Sequence, residues 1–72
     1  MNYQIGDLIV IRNELCMVTN IVHFSEYDKH PRVKMDVLNP IKEGVITKRY
    51  MYISILDEGI KDGKYKYYPI IL

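Results

Sequence analysis

Seventy-two residues, 49% hydrophobic and 26% charged, describe one small globular domain over residues 1–72 and exclude a disordered tail. A net charge of +1 argues against a dedicated duplex-DNA binder, and a single cysteine, Cys16, excludes a disulfide-stapled miniprotein. No uncharged stretch has the length of a bilayer span and the N-terminus carries no charged-then-apolar leader, so a soluble cytoplasmic protein with no membrane contact is expected.

Turn-forming residues at Gly6-Asp7, Arg12-Asn13-Glu14, Ser25 to Pro31, Asn39-Pro40, Glu43-Gly44 and Asp57 to Gly63 divide the chain into short runs rich in Val, Ile, Tyr and Thr. The first run, Leu8 to Arg12, is densely apolar, and Asn13-Glu14 reads as a tight hairpin turn after it. The second, Leu15 to Phe24, carries apolar groups on both faces, which predicts a long, bent strand packing on different sides along its length. The third, Arg32 to Leu38, alternates: Val33, Met35 and Val37 point one way, Arg32, Lys34 and Asp36 the other. The fourth, Val45 to Leu56, keeps period two, with Arg49 interrupting the apolar face and Lys48, Tyr50 and Tyr52 on the opposite one. The last, Lys64 to Leu72, is rich in tyrosine, and Pro69 makes it an edge strand or a strand end. No window shows a convincing helical stripe; Ile55 to Asp62 contains Gly59 and is predicted to form a single helical turn at most. Five strands at this spacing predict an all-β fold, a small five-stranded SH3-like barrel, with a core of Leu8, Val10, Cys16, Val18, Val33, Met35, Val37, Met51 and Ile53.

Gly6-Asp7-Leu8-Ile9, Glu14-Leu15-Cys16-Met17-Val18, Arg32-Val33-Lys34-Met35 and Gly44 together resemble the N-terminal SH3-like, KOW-related domain of bacterial elongation factor P and its hypusine-containing eukaryotic and archaeal counterpart. The resemblance spans Gly6 to Gly44 and implies the barrel. In that family a glycine-rich loop between the second and third strands presents one modified lysine to the ribosomal peptidyl-transferase centre. Here the corresponding loop tip holds Glu26, Tyr27, Lys29 and His30 and no glycine. Ungapped, the modified lysine falls on Glu26; with a small deletion, Lys29-His30 matches the lysine-histidine pair of the eukaryotic form.

Chemistry-bearing motifs are sparse. Cys16, His23 and His30 lack metal-ligand spacing, no cofactor motif is present, and neither Ser25 nor Ser54 sits in a nucleophile motif, so no metal, no cofactor and no enzyme activity are expected. The acids Asp7, Glu14, Asp57, Glu58 and Asp62 lie in turns, where carboxylates accept local backbone N–H bonds. Charge is uneven: residues 1–31 sum to −2 and residues 32–72 to +3, and the positive part holds five of the seven tyrosines. Lys48, Arg49, Tyr50, Tyr52, Lys64, Lys66 and Tyr68, with Arg32 and Lys34, form a basic-aromatic set suited to stacking on unpaired bases and neutralising phosphate. The same residue types favour protein interfaces, and exposed strand lysines also guard against edge aggregation. Ile70, Ile71 and Leu72 are expected to pack on the barrel or on a partner, and two copies associating through the last strand is a further arrangement they allow. These features predict a non-enzymatic binding module that docks as a small regulator on nucleic-acid machinery such as ribosome or RNA polymerase. The alternatives are direct binding of single-stranded RNA or DNA, and a translation-factor activity delivered by the 25–31 loop.

Overall fold

Arg12 and Asn13 both adopt positive φ, 50° and 69°, the conformation of a two-residue turn whose twist matches that of a β-hairpin. The computed structural model, which describes residues 2–23, 25–27, 29–39 and 47–71, places this turn between β1 (Leu8–Ile11) and β2 (Glu14–Val22), with Ile11 opposite Glu14. The turn therefore lies one residue earlier than predicted, and Glu14 belongs to β2. Asn39 braces it: its side-chain amide donates to the Asn13 carbonyl and its Oδ1 accepts the Leu15 N–H.

The hairpin fixes which face of β1 is inward. Ile9 lies opposite Cys16, and Ile9, Ile11, Cys16 and Val18 are buried. Leu8 and Val10, predicted in the core, sit half-buried on the outer face beside Met17 and Leu15. All four β1 residues are apolar, so alternation could not choose between the faces; the pairing with β2 does. On β2 the register against β3 (Arg32–Val37) shifts between Val18 and Asn20, a bulge at Thr19, whose hydroxyl donates to the Lys34 carbonyl at 3.2 Å. The extra residue reverses the parity, so Ile21 packs against the core after the bulge as Cys16 and Val18 do before it. This is the bent strand with apolar groups on both faces. On β3 the strict alternation holds, with Val33, Met35 and Val37 buried.

β4 (Lys48–Tyr52) pairs with β3 and is shorter than predicted; its expected start at Val45 and the turn at Gly44 lie outside the described residues. At Ile53 the chain turns into α1 (Ile53–Lys61), a nine-residue helix where a single turn was expected. Ile53, Leu56 and Ile60 form its packed stripe, and Leu56 is fully buried, worth about 2 kcal/mol of transfer free energy. Gly59 is a contact residue: a Cβ there would run into the Tyr65 ring. The helix ends in a Schellman motif. Gly63 takes φ 79°, its N–H bonds the Ile60 carbonyl at 3.2 Å, and the Lys64 N–H bonds the Gly59 carbonyl at 2.9 Å. β5 (Tyr65–Tyr68) then pairs antiparallel with β1 and stops before Pro69.

The strand order is β4-β3-β2-β1-β5, antiparallel throughout. This is the expected small all-β domain of five strands; the sheet is open between β4 and β5, with α1 packed against both strands. The core consists of Tyr3, Ile9, Ile11, Cys16, Val18, Val33, Met35, Val37 and Leu56, with Met51 and Ile53 partly buried against it. Asp7 is a buried acid, 1% exposed. Its carboxylate accepts the Gln4 N–H and the Ile70 N–H, each at 2.9 Å, and the Tyr67 hydroxyl at 2.7 Å. The local bond to Gln4 is that of a turn acid; the other two tie β5, through Tyr67, and the segment after it, through Ile70, to the start of β1. Tyr3 packs edge-on against Tyr67 and donates to Asp57 on α1 at 2.6 Å. Among the described residues no helix is long and apolar enough to cross a membrane.

Candidate binding face

Because Arg49 and Met51 stand opposite Met35 and Val33 on the inner side of the sheet, Lys48, Tyr50 and Tyr52 point outward. Arg32, Lys34 and Asp36 do the same on β3. The register then interleaves cations and rings: Arg32 lies opposite Tyr52, Lys34 opposite Tyr50, and Asp36 opposite Lys48. The Arg32 guanidinium carbon sits 4.7 Å from the Tyr52 ring centroid, and its Nη2 donates to the Tyr52 hydroxyl at 3.1 Å. His30 meets the same ring edge-on, with centroids 6.3 Å apart. Lys48 reaches Asp36 at 3.4 Å in an exposed pair, whose contribution to stability is small. Tyr50 is 51% exposed between Lys34 and Lys48.

The fold divides the basic-aromatic set read from the sequence. Arg32, Lys34, Lys48, Tyr50 and Tyr52 come together. Arg49 does not join them: it lies on the inner face and its guanidinium pairs with Glu14 of β2. Its buried Nε finds no partner among the described residues. Lys64, Lys66 and Tyr68 lie on or next to β5, the opposite edge strand of the sheet from β4. There Tyr68 and Lys66 are outward neighbours of Leu8 and Val10, and Tyr65 and Tyr67 turn inward.

Loop-tip residues Glu26, Tyr27, Lys29 and His30 are all exposed. Lys29 and His30 line a shallow cleft of about 260 Å³ with Pro31, Tyr52, Ser54 and Asp57, so this end of the loop adjoins the face through Tyr52. Ile70 is fastened to Asp7 by its N–H and packs against Gly6, where a Cβ would collide with it. Ile71 is 94% exposed, and Leu72 lies outside the described residues.

Elsewhere the ionisable groups serve the fold. Burial pushes the Cys16 thiol up, the Glu14 charge adds to this, and Arg49 only partly opposes it, so the sulfur is a small core hydrophobe rather than a nucleophile. Burial acts to raise Asp7, but the N–H groups of Ile70 and Gln4 and the Tyr67 hydroxyl outweigh it and hold the carboxyl below its usual range. Tyr67 is pushed up to about 12 by burial and by its bond to Asp7. Among the described residues no cluster of three or more His, Cys, Asp or Glu could hold a metal ion. The alternation of β4 made Tyr50 and Tyr52 legible as outward; the contribution of His30 to the Tyr52 ring carried no sequence signal, since it depends on how the loop returns over β4.

Compared with known protein families, with curated proteins and with solved structures, the chain finds no match.

Proposed function

We propose that the protein is a non-enzymatic binding module that docks as a small regulator on nucleic-acid machinery of the ribosome or RNA polymerase kind, using the outer face of β3 and β4. The observation that carries this reading is the cross-strand lattice of Arg32 with Tyr52 and Lys34 with Tyr50 on an exposed sheet face. Arginine and tyrosine are the side chains that most often anchor interfaces, and two rigid rings between cations offer contact area at little entropic cost. The resemblance of Gly6 to Gly44 to a KOW-related barrel supports the choice of machine. The test is affinity capture of the tagged protein from its own cells, with and without nuclease, beside the variant Lys34→Ala/Tyr50→Ala. Ribosomal or polymerase subunits should be recovered by the parent after nuclease and lost at least about tenfold by the variant, the least effect expected when two contact residues, one of them an aromatic anchor, are removed. Equal recovery by the two would refute the siting.

A second reading takes the same face to single-stranded nucleic acid. It is favoured by Tyr50, half exposed with lysines on either side and free to stack on a base. It predicts binding to oligouridylate that falls steeply with salt; an affinity unchanged between low and moderate salt would eliminate it.

A further inference from the structure

The backbone hydrogen bonds of β4 have a definite phase. The Val37 N–H bonds the Thr47 carbonyl at 2.7 Å, and the Ile53 N–H bonds the Pro31 carbonyl at 3.4 Å. In an antiparallel pair, bonded and non-bonded positions alternate. With Asp36 opposite Lys48 and Arg32 opposite Tyr52, the odd-numbered residues of β4, Arg49 and Met51, exchange bonds with β3. Lys48, Tyr50 and Tyr52 therefore turn their N–H groups away from β3, toward the open side of the sheet. The Lys48 and Tyr50 carbonyls follow, while that of Tyr52, the residue before α1, begins the helix. Beyond strands and helices, no backbone bond among the described residues reaches these groups. β4 contains no proline, and its register with β3 runs without a shift from Asp36 to Arg32. The other edge is less available: on β5 the outward backbone belongs to Tyr65 and Tyr67, whose rings pack inward, Tyr65 against Gly59 of α1, and Pro69 ends the strand.

Resting on the proposed docking face, we infer that the free edge of β4 receives an extended acidic segment of the partner protein as an added antiparallel or parallel strand. Backbone bonds to Lys48, Tyr50 and Tyr52 supply the affinity. The side chains supply the selection. Every second residue of the incoming strand lies on the outer face beside Lys48, Tyr50 and Tyr52, with Lys34 and Arg32 behind them, a row on which Asp36 is the acid and is already paired with Lys48. Carboxylates fit there. The intervening residues fall on the inner face beside Met51, which packs on the core, and Arg49, whose charge Glu14 already pairs, so β-branched apolar side chains fit there.

The probe is an end-capped ten-residue peptide of alternating Glu and Val, with its Lys and Val counterpart and oligouridylate as competitors. Binding of the Glu-Val peptide should slow amide hydrogen exchange at Lys48, Tyr50 and Tyr52 and leave Arg49, Met51, Tyr65 and Tyr67 unchanged. Tyr50→Pro removes an outward N–H without touching the β3 ladder, whereas Tyr50→Ala removes only the ring. The proline variant should bind at least about tenfold more weakly than the alanine variant, the loss expected for a backbone bond. Equal weakening by the two, protection at Tyr65 and Tyr67 instead, equal binding of the Lys-Val peptide, stronger binding of oligouridylate with the edge amides unprotected, or no binding of the Glu-Val peptide would each overturn the inference. Should Tyr50→Pro fail to fold, exchange in the parent protein decides alone. Failure here is separable from failure of the docking face: loss of the captured complex in Lys34→Ala/Tyr50→Ala with unprotected edge amides rejects strand addition and keeps the face.

Discussion

A single carboxylate joins the start of β1 to the segment before it and to β5 beside it. Asp7 is desolvated, and three donors from Gln4, Tyr67 and Ile70 compensate it. Its folded-state pKa is depressed, so its contribution to stability is present above the unfolded carboxyl value and is lost as pH falls through the folded one. Urea unfolding should show a midpoint that drops on acidification below about pH 4, and Asp7→Asn should flatten that dependence while lowering stability at neutral pH by about 3 kcal/mol. An unchanged acid profile in Asp7→Asn would assign the effect to other groups. Tyr67 acts at the other end of the scale. Its folded pKa is raised to about 12, so its contribution is complete below the unfolded tyrosine value and disappears as pH rises through the folded one. Tyr3 is raised in the same direction by burial and by Asp57. Near-ultraviolet titration should therefore find Tyr3 and Tyr67 ionising only together with unfolding, above pH 10, the unperturbed value from which both shifts start, and the part of the tyrosinate signal that coincides with unfolding should shrink in Tyr67→Phe.

At the scale of the element, α1 shows why a glycine need not be a breaker. Gly59 costs about 1 kcal/mol of helix propensity relative to alanine. Its missing Cβ is the space the Tyr65 ring occupies, and that contact brings β5 back against the helix. Gly59→Ala should lower stability by about 2 kcal/mol, because overpacking outweighs the regained propensity. Thermal unfolding checks this, and a rise in midpoint would show that the ring can step aside. The same contrast governs what the sequence made legible. β3 could be read in full because Val33, Met35 and Val37 alternate with Arg32, Lys34 and Asp36. The outward display of Tyr50 and Tyr52 followed from the same periodicity. β1 could not be oriented, since Leu8 and Val10 are as apolar as Ile9 and Ile11. The helix was hidden because Gly59 is explained by a residue six positions away on another element. The division of the basic-aromatic set was out of reach of local pattern: Lys66 and Tyr68 share a composition with Lys48 and Tyr50, and only the strand order puts them at opposite edges.

For the molecule as a whole, size limits how much the core can contribute, since a domain this small buries only about 60% of the surface its unfolded chain exposes. Long-range polar ties therefore carry more of the specification than they would in a larger protein. β1 is the place where this matters most. Because both faces of Leu8–Ile11 are apolar, shifting the strand by one residue would exchange Ile9 and Ile11 for Leu8 and Val10 at almost no loss of buried hydrocarbon. Burial alone leaves these two frames nearly degenerate, a point of local frustration in an otherwise consistent landscape. What separates them is polar and directional: the Arg12-Asn13 turn, and a carboxylate that meets its two long-range donors, Tyr67 and Ile70, in one frame only. Discrimination between frames is then an acid-labile property of the chain, and misregistered hairpins with mispaired edges should accumulate as Asp7 is protonated. Light scattering during refolding should rise at pH 3 relative to pH 7, and Asp7→Asn should bring that rise to neutral pH. No difference between the two conditions would mean that the turn alone keeps the chain in frame.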